Sequence, residues 1–281
     1  MAVIISSANY AAAGGGAYAG PGDVLSGAIG YWGMRAYNAA YIGGNAIQLV
    51  DGSGLSFTNI TTVAGGGLDE TAIQTFLTNH GGTGYVDILY DQIGTKHLIQ
   101  GAVSKMPTIQ QSGIGSRSTL KFVAASNQLL LCSATNYVEA QPFTFSVVCN
   151  RTSAIATNGC VAVVSSSGGD AIYYRAAAGA LFIDAGLVNT VTAGVSDAAW
   201  LSVQALFNAT SSTSTVNGTS SGTTSTGTQA LVSTNSATIG NDGTGGGYFE
   251  GQIAEFGIWP GNNSGSFAGL TTNQKTSFWG F

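Results

Sequence analysis

The densest polar chemistry in this sequence lies in the stretch 84–100, in a chain where charged residues are scarce. Apolar and polar residues alternate in its first half, which predicts a strand with Val86, Ile88 and Tyr90 on one face. A Gly-Thr turn at 94–95 then returns the chain as a second strand. The end of this hairpin therefore gathers side chains that can ionise or form hydrogen bonds: Asp91, Gln92, Lys96 and His97.

These side chains can serve a ligand or the fold itself. A metal site would need further imidazole or thiolate ligands, but no second histidine lies near His97 in sequence and the cysteines are not suitably spaced. We therefore predict no metal and no cofactor. Asp91 and Gln92 can bind a ligand, whereas Lys96 and His97 are expected to fix the hairpin. Arg35, one of four arginines, is expected to pair with a carboxylate, Asp91 being the first choice.

Sparse charge is the main constraint from composition. Only 7% of the 281 residues are charged and the formal net charge is −5, against roughly 25% charged residues in ordinary soluble domains. Without a cluster of Lys or Arg, the chain is not expected to bind nucleic acid or an anionic membrane surface. No apolar run approaches the roughly 18 residues of a membrane span, and no basic segment of a secretion signal follows Met1. Three cysteines are expected to be buried free thiols, with one disulfide between two of them as the alternative: Cys132, Cys149 and Cys160.

The pattern of short strands predicts an all-β fold. Asn217-Gly218 is a strong hairpin signal, and we interpret the Ser/Thr/Gly run at 219–228 after it as an exposed loop. Residues 68–79 carry an apolar stripe at helical spacing, which Asp69 can cap, and a second short helix is expected at 271–278. Strands after the hairpin are predicted at 119–124, 128–132, 143–151, 160–165, 171–176, 180–184, 190–193, 200–208, 213–216, 237–240 and 248–259.

Two parts of the sequence resemble known families. The Tyr-Asp-Gln-x-Gly at 90–94 and the His-x-x-Gln at 97–100 resemble a stretch in the catalytic domain of fungal α-L-arabinofuranosidase B, and the pattern is similar to that of laminin G-like virion proteins of phages and prophages. The segment 249–259 resembles the closing strand of laminin G-like sandwiches. The resemblance implies an antiparallel concanavalin A-like (jelly-roll) β-sandwich over 23–281, with one or two short helices. Residues 1–22 are nearly uncharged and cannot form a core of their own. We expect them to form an apolar N-terminal arm laid across a neighbouring subunit, with an arm folded back on its own domain as the alternative.

For catalysis, the resemblance implies that one carboxyl group is retained and one is missing. The segment 240–251 resembles the arabinofuranosidase region that carries the acid/base aspartate, which maps to Asp242. The segment 181–186 resembles the region of the nucleophilic glutamate, but Gly186 stands in its place, and glycine has no side chain that can attack a sugar. We therefore expect no retaining glycosidase, while Asp184 and Asp242 remain as an alternative inverting pair.

A binding module without turnover is a second alternative. Sugar sites combine an aromatic surface with a few precisely placed hydrogen-bonding side chains. The candidates are Asp242, Asn241, Tyr248 and Trp200, with Asp91 and Gln92 as second choices. Each also has a structural explanation, because aromatic rings pack in cores and an aspartate in a Gly-rich loop closes an Asx turn.

A structural role combines most of these features. We interpret the chain as a virion protein of a phage or prophage, used as an exterior capsid decoration, a fibre or a tail component, with contact to host surface polysaccharide. It is expected to form homo-oligomers and to bind other virion proteins through the arm at 1–22. It is expected to be made in the host cytoplasm and to be found in the virion. A glycoside hydrolase related to α-L-arabinofuranosidase is the alternative function.

Overall fold

The computed structural model describes residues 17–132, 137–152, 159–164, 170–174, 180–191, 197–232, 234–242 and 246–281. The strands in these ranges are β1 (Gly30–Gly33), β2 (Asn45–Val50), β3 (Phe57–Thr61), β4 (Tyr85–Leu89), β5 (Leu98–Ile99), β6 (Thr108–Ile114), β7 (Arg117–Phe122), β8 (Leu130–Leu131), β9 (Phe143–Arg151), β10 (Gly159–Val164), β11 (Asp170–Tyr174), β12 (Leu181–Ala185), β13 (Val188–Val191), β14 (Leu201–Phe207), β15 (Ser212–Val216), β16 (Thr219–Thr224), β17 (Ala237–Ile239) and β18 (Gly251–Pro260).

Helices are short and few in the described ranges. The α-helices are α1 (Pro21–Val24), α2 (Glu70–Asn79) and α3 (Phe267–Thr271), and α3 continues in wider π-helical turns over Thr272–Trp279. We call Phe267–Trp279 the C-terminal helix. Single 3-10 turns lie at Ala39–Tyr41, Val103–Lys105, Ala124–Ser126, Ala209–Ser211 and Ser264–Ser266.

The strands pair antiparallel in two sheets. The first sheet has the order β3-β2-β4-β5-β8-β17-β10-β11-β12-β13. The second has the order β6-β7-β18-β9-β14-β15-β16, and β1 lies beside β18 on the same side as β7. The two sheets meet where Tyr85 of β4 pairs with Thr108 of β6. This arrangement is the β-sandwich expected from the alternating strand pattern.

The core lies between the two sheets and is rich in aromatic rings. The rings of Phe143, Phe145 and Phe207 lie 4.9–5.4 Å apart, and all three side chains are fully buried. Burying a side chain of this size contributes roughly 1.5–3 kcal/mol. β9 supplies two of these rings because it is the central strand of the second sheet, with β18 on one side and β14 on the other.

The outer face of the second sheet is covered by the two terminal segments of the described chain. Under the C-terminal helix, Arg35 forms an ion pair with Glu255, with its Nε 2.9 Å and its Nη2 3.0 Å from the two carboxylate oxygens. The indole of Trp279 donates to the same carboxylate at 3.0 Å, and the Tyr31 hydroxyl also donates to it. The predicted pairing of Arg35 with Asp91 is therefore wrong. β1 pairs with β18, and Gly33 lies opposite Glu255, so the pairing places the Glu255 carboxylate beside Arg35. No local sequence pattern links Glu255 to Arg35.

A polar network holds the C-terminal helix to the same face. Gln274 accepts hydrogen bonds from Ser202 and Gln204, at 2.6 and 2.8 Å, and donates to Ser146 at 2.9 Å. The ring of Phe278 lies between the guanidinium groups of Arg35 and Arg117. Because these polar groups are buried, their mutual hydrogen bonds offset the cost of removing them from water.

The N-terminal part of the described chain packs on its own domain. Tyr18 contacts the edge of Phe278 at 5.9 Å between ring centroids, and the carbonyl of Ala19 accepts a hydrogen bond from Asn273 at 2.8 Å. The last residues of the predicted arm at 1–22 therefore belong to the sandwich. Residues 1–16, on which the expected contact with a neighbouring subunit rests, lie outside the described residues.

Two local predictions are wrong for physical reasons. The run at 219–228, interpreted as a loop, begins with β16, because the Asn217-Gly218 turn brings it back along β15. In β4, a β-bulge around Asp87 shifts the pairing with β2, so that Val86 is buried in the core while Ile88 and Tyr90 turn outward. A bulge inserts one residue into a strand, and the residues beyond it change faces.

Several predictions are confirmed. Asp69 caps α2 by accepting a hydrogen bond from the backbone N–H of Ala72 at 2.9 Å, and the predicted strand at 143–151 has the bounds of β9. The second predicted helix exists but begins earlier, at Phe267. The three cysteines are buried free thiols.

Candidate functional site

The outer face of the first sheet is a single surface that crosses most of its strands. In antiparallel pairs, residues directly opposite each other point to the same face. The register therefore aligns one row of side chains across the sheet from β3 to β12: Asn59, Gln48, Ile88, Ile99, Leu131, Thr238, Val163, Ala171 and Asp184. We call the surface that contains this row the outer face.

The two halves of the outer face differ in exposure. At the β3 end, Asn59 is exposed, and Ile99 and Leu131 keep 39% and 37% of their surface accessible. Toward β12, Thr238 and Val163 are fully buried. The row therefore changes from an open half to a covered half near β17, and the expected site residues lie at the far end of the covered half.

Asp184 lies at that far end and is half-buried. Its Oδ1 accepts a hydrogen bond from the backbone N–H of Gly186 at 2.8 Å, and burial raises the pKa of its carboxyl. The Asp184 carboxylate therefore keeps part of its surface available for a ligand. Gly186 stands where the resembled arabinofuranosidase segment has its nucleophilic glutamate, and it offers a ligand only backbone atoms.

Asp170 is a carboxyl group near Asp184 that sequence reasoning missed. It pairs with Ala185 in the core-facing register of β11 and β12, so it points to the opposite side of the sheet from Asp184. Burial and the nearby Asp184 charge raise the pKa of Asp170 to about 7. Among the described residues, its Oδ1 has no hydrogen-bond partner. The only sequence signal was an aspartate opening an apolar run, which is also common in turns.

Asn241 and Asp242 lie in the loop after β17, and this loop folds over the start of β10 on the outer face. The backbone N–H of Cys160, at the start of β10, donates to the Gly247 carbonyl at 2.8 Å and holds the loop there. The Asn241 amide donates to the Gly246 carbonyl and is buried. Asp242 is half-buried, and its charge adds to burial in raising the pKa of the Cys160 thiol.

The structure therefore brings Asp184 and Asp242 to the same face. Cys160 clusters with Val163 and Ala171 on the outer side of β10 and β11, and Ala171 lies directly opposite Asp184 on β12. The half-buried Tyr248 belongs to the same loop as Asp242.

Trp200 is placed elsewhere. Its indole N–H donates to the Gly113 carbonyl at 3.2 Å, and its ring lies against Phe281. The next residue, Leu201, faces the core of the second sheet, so Trp200 points to the outer face of that sheet. It does not join Asp184 and Asp242.

Asp91 and Gln92 are buried inside the hairpin end. The Gln92 amide donates to the carbonyls of Gly33 and Arg35, at 2.9 and 2.8 Å, and accepts from the Tyr37 N–H at 2.7 Å. Asp91 accepts from the backbone N–H groups of Ile93 and Lys96, both at 3.2 Å, and burial raises the pKa of its carboxyl. With 4% and 5% of their surface exposed, both residues fix the loop to β1 and present little to a ligand.

The described residues hold no group of three or more His, Cys, Asp or Glu side chains arranged to bind a metal. No helix in the described ranges is both long and apolar enough to cross a membrane.

Residues 124–265 match the sequence profile of the concanavalin A-like lectin/glucanases superfamily, in its laminin G-like branch. This match covers half of the chain. The chain belongs to that superfamily. The predicted fold and the suspected similarity are therefore confirmed. A comparison with curated proteins finds no match.

Solved structures agree on the fold. A GH54 α-L-arabinofuranosidase soaked with a cyclic sulfate inhibitor superimposes with a TM-score of 0.70, and a mutant soaked with 4-nitrophenyl α-L-arabinofuranoside with 0.69. Each is 14% identical, and the match covers 92% of this chain and 65% of that one. Domain 4 of a GH43 extracellular arabinanase from Geobacillus stearothermophilus, in complex with arabinotriose, is 10% identical over 60% of this chain and 81% of its own, with a TM-score of 0.45. The arabinofuranosidases show a shared fold, and this chain spans about two thirds of their length.

Proposed function

We propose that this chain is a glycan-contacting sandwich domain that serves as a structural subunit of a phage or prophage particle, as an exterior decoration, a fibre or a tail component. The observation that carries glycan contact is the position of Asp184 and Asp242, which reach one face of the first sheet while half-buried. Carboxylates in such a setting accept hydrogen bonds from sugar hydroxyls, and Tyr248 is an aromatic neighbour in the same loop.

Exposed apolar side chains support assembly into a larger particle. Leu55, Val138, Leu187 and Phe57 keep 82%, 64%, 57% and 53% of their surface accessible. Exposed apolar surface marks contact sites between proteins when it is contiguous, and Leu55 and Phe57, two residues apart where β3 begins, are the two of these four that are neighbours in sequence. Contacts with further copies and with other virion proteins, the latter through the segment 1–22, are part of this proposal, as is contact with host surface polysaccharide.

The glycan contact is tested by binding to purified host surface polysaccharide. We expect wild-type protein to bind without releasing reducing sugar, and Asp184→Asn and Asp242→Asn each to weaken binding. Asp23→Asn is the matched control, because Asp23 is exposed near the second sheet. Release of sugar by the wild-type protein would replace this proposal with the alternative below. The structural role is tested by mass spectrometry of purified particles, in which absence of the chain contradicts it.

A glycoside hydrolase is the second candidate, and one observation favours it. Two carboxyl groups, Asp184 and Asp242, reach the same face of the first sheet, and burial raises the pKa of the Asp184 carboxyl, which favours proton donation by a general acid. In this alternative Asp184 and Asp242 supply the two carboxyl groups that sugar hydrolysis needs, whereas Asp170 faces the core and takes no part. The two arabinofuranosidase structures suggest 4-nitrophenyl α-L-arabinofuranoside as the first substrate to assay.

The Asp170 carboxyl can be tested independently of any substrate. Its folded-state pKa lies above the unfolded value of about 3.9, so the folded protein binds a proton that the unfolded chain releases between these values. The favourable contribution of the neutral carboxyl is complete below about pH 4 and is lost as the pH rises through about 7. We expect Asp170→Asn to stabilise the protein at pH 8 and to flatten the dependence of stability on pH between about 4 and 7. An unchanged dependence contradicts the raised pKa.

A further inference from the structure

The open half of the outer face carries a cluster of side chains that the glycan site above does not use. It consists of Gln48, Asn59, Asp87, Tyr90 and His97, which we call the Tyr90 platform. Tyr90 follows β4, where the bulge around Asp87 turns it outward. His97 lies beside it just before β5. None of the five side chains is buried: Asn59 is exposed and the other four are half-buried.

The orientation of the Tyr90 ring is fixed before any ligand binds. Its hydroxyl donates to Asn59 Oδ1 at 3.0 Å, and the Gln48 amide donates to the same oxygen at 2.9 Å. The His97 ring meets the Tyr90 ring nearly at a right angle, with 4.9 Å between centroids. His97 is itself held by the Asp91 backbone N–H, which donates to its Nδ1 at 3.1 Å. A ligand therefore meets a preorganised aromatic surface, which lowers the entropy that binding costs.

Hydrogen-bonding groups around the ring remain unused. Among the described residues, Gln48 Oε1, Asn59 Nδ2 and His97 Nε2 have no partner. They offer acceptors and donors within one cluster, as pairs of sugar hydroxyls require. An aromatic ring with an apolar face and a polar tip suits the C–H face of a sugar, and the amides suit its hydroxyls.

The charge of the platform selects among sugars. Asp87 lies close enough for its charge to contribute to the raised pKa of the Tyr90 hydroxyl, and the five side chains include no lysine or arginine. An anionic sugar would face repulsion from the Asp87 carboxylate. A neutral sugar avoids this cost and can donate a hydroxyl to the carboxylate.

We propose that the Tyr90 platform is a binding subsite for a neutral sugar unit, which stacks on Tyr90 and forms hydrogen bonds with Gln48 and Asn59. This inference rests on the proposed glycan contact of the same face and extends it from the Asp184 end to the open half.

The experiment is titration calorimetry of the full chain with three neutral oligosaccharides, xylohexaose, cellohexaose and arabinohexaose. We expect at least one to bind, and Tyr90→Ala to weaken that binding by about tenfold, as loss of an aromatic contact worth about 1.4 kcal/mol predicts. Tyr90→Phe keeps the ring and is expected to lose much less affinity. The double variant Gln48→Ala/Asn59→Ala, on accessible side chains that do not support the core, should weaken binding without unfolding the protein.

Tyr85→Ala is the matched control, because Tyr85 is a half-buried tyrosine at the other end of β4. Equal affinity of wild-type and Tyr90→Ala protein, or equal loss in Tyr85→Ala, overturns the subsite. Tighter binding of oligogalacturonate than of neutral probes overturns the assignment to neutral sugars. If binding is lost in Asp184→Asn and Asp242→Asn but not in the platform variants, the proposed function stands and the platform fails. If none of the three neutral probes binds, the platform also fails.

Discussion

The outer faces of the two sheets are built from the same strand geometry but are used differently. On the second sheet, the C-terminal helix and the segment after Ala17 cover the face, and its buried polar groups are joined in hydrogen-bonded networks around Glu255 and Gln274. On the first sheet, the open half leaves an aromatic ring and amides accessible around Tyr90. A covered polar face stabilises the fold, whereas an open one with unused hydrogen-bonding groups is available to a ligand. Changes in the second face should therefore affect stability, and changes in the first should affect binding.

The largest effect is expected from Glu255→Ala. This change leaves Arg35 fully buried without its charge partner, and breaking a buried pair in this way costs about 3–5 kcal/mol. Chemical denaturation of both proteins measures the loss. Glu139→Ala is the control, because the Glu139 side chain is half-buried and its backbone makes the hydrogen bonds to Leu231. A loss below about 1 kcal/mol would mean that the covered face is not held by this pair.

A smaller loss is expected from Gln274→Ala. The change removes hydrogen bonds with Ser146, Ser202 and Gln204 and leaves buried polar atoms without partners, at a cost of about 1–3 kcal/mol. Denaturant midpoints compared at a constant slope give this value. Gln111→Ala is a suitable comparison, because the Gln111 side chain bonds to Gln74 at an exposed position. If the two variants lose the same stability, the buried network under the C-terminal helix contributes no more to stability than the exposed hydrogen bond between Gln111 and Gln74.

The smallest effect on stability is expected from Asn59→Ala on the open half. Its side chain is exposed, and its hydrogen bonds with Gln48 and Tyr90 compete with water. Substitutions at such positions usually change stability by less than about 0.5 kcal/mol. The same denaturation assay checks this. A loss above about 1 kcal/mol would remove the contrast between the two faces, because the open face would then also be needed for folding.

Fold class and element boundaries were largely predictable from local pattern. β9 and α2 illustrate this, since one is a continuous apolar run and the other has an apolar stripe behind a capping aspartate. The extra strand β16 was missed because its Ser, Thr and Gly residues give no alternation of apolar and polar side chains, and only its hairpin with β15 makes it a strand.

The site was less predictable, because it depends on which residues the register brings together. The bulge at Asp87 puts Ile88 and Tyr90 on the opposite face from Val86, so Tyr90 lies outward beside His97, while the neighbouring Asp91 and Gln92 are buried. No local pattern in the sequence marks a bulge. The position of Asp242 likewise depends on tertiary structure. The loop that carries Asp242 folds back over β10, where the Cys160 N–H donates to the Gly247 carbonyl, and this brings it to the face on which Asp184 of β12 lies.

The packing of Tyr18 against Phe278 determines from which side the domain can be attached to another protein segment. It places both ends of the described chain behind the second sheet. Any scaffold joined to either end would hold the sandwich from its back. The broad surface with Tyr90 would then point away from the attachment, toward whatever the scaffold approaches.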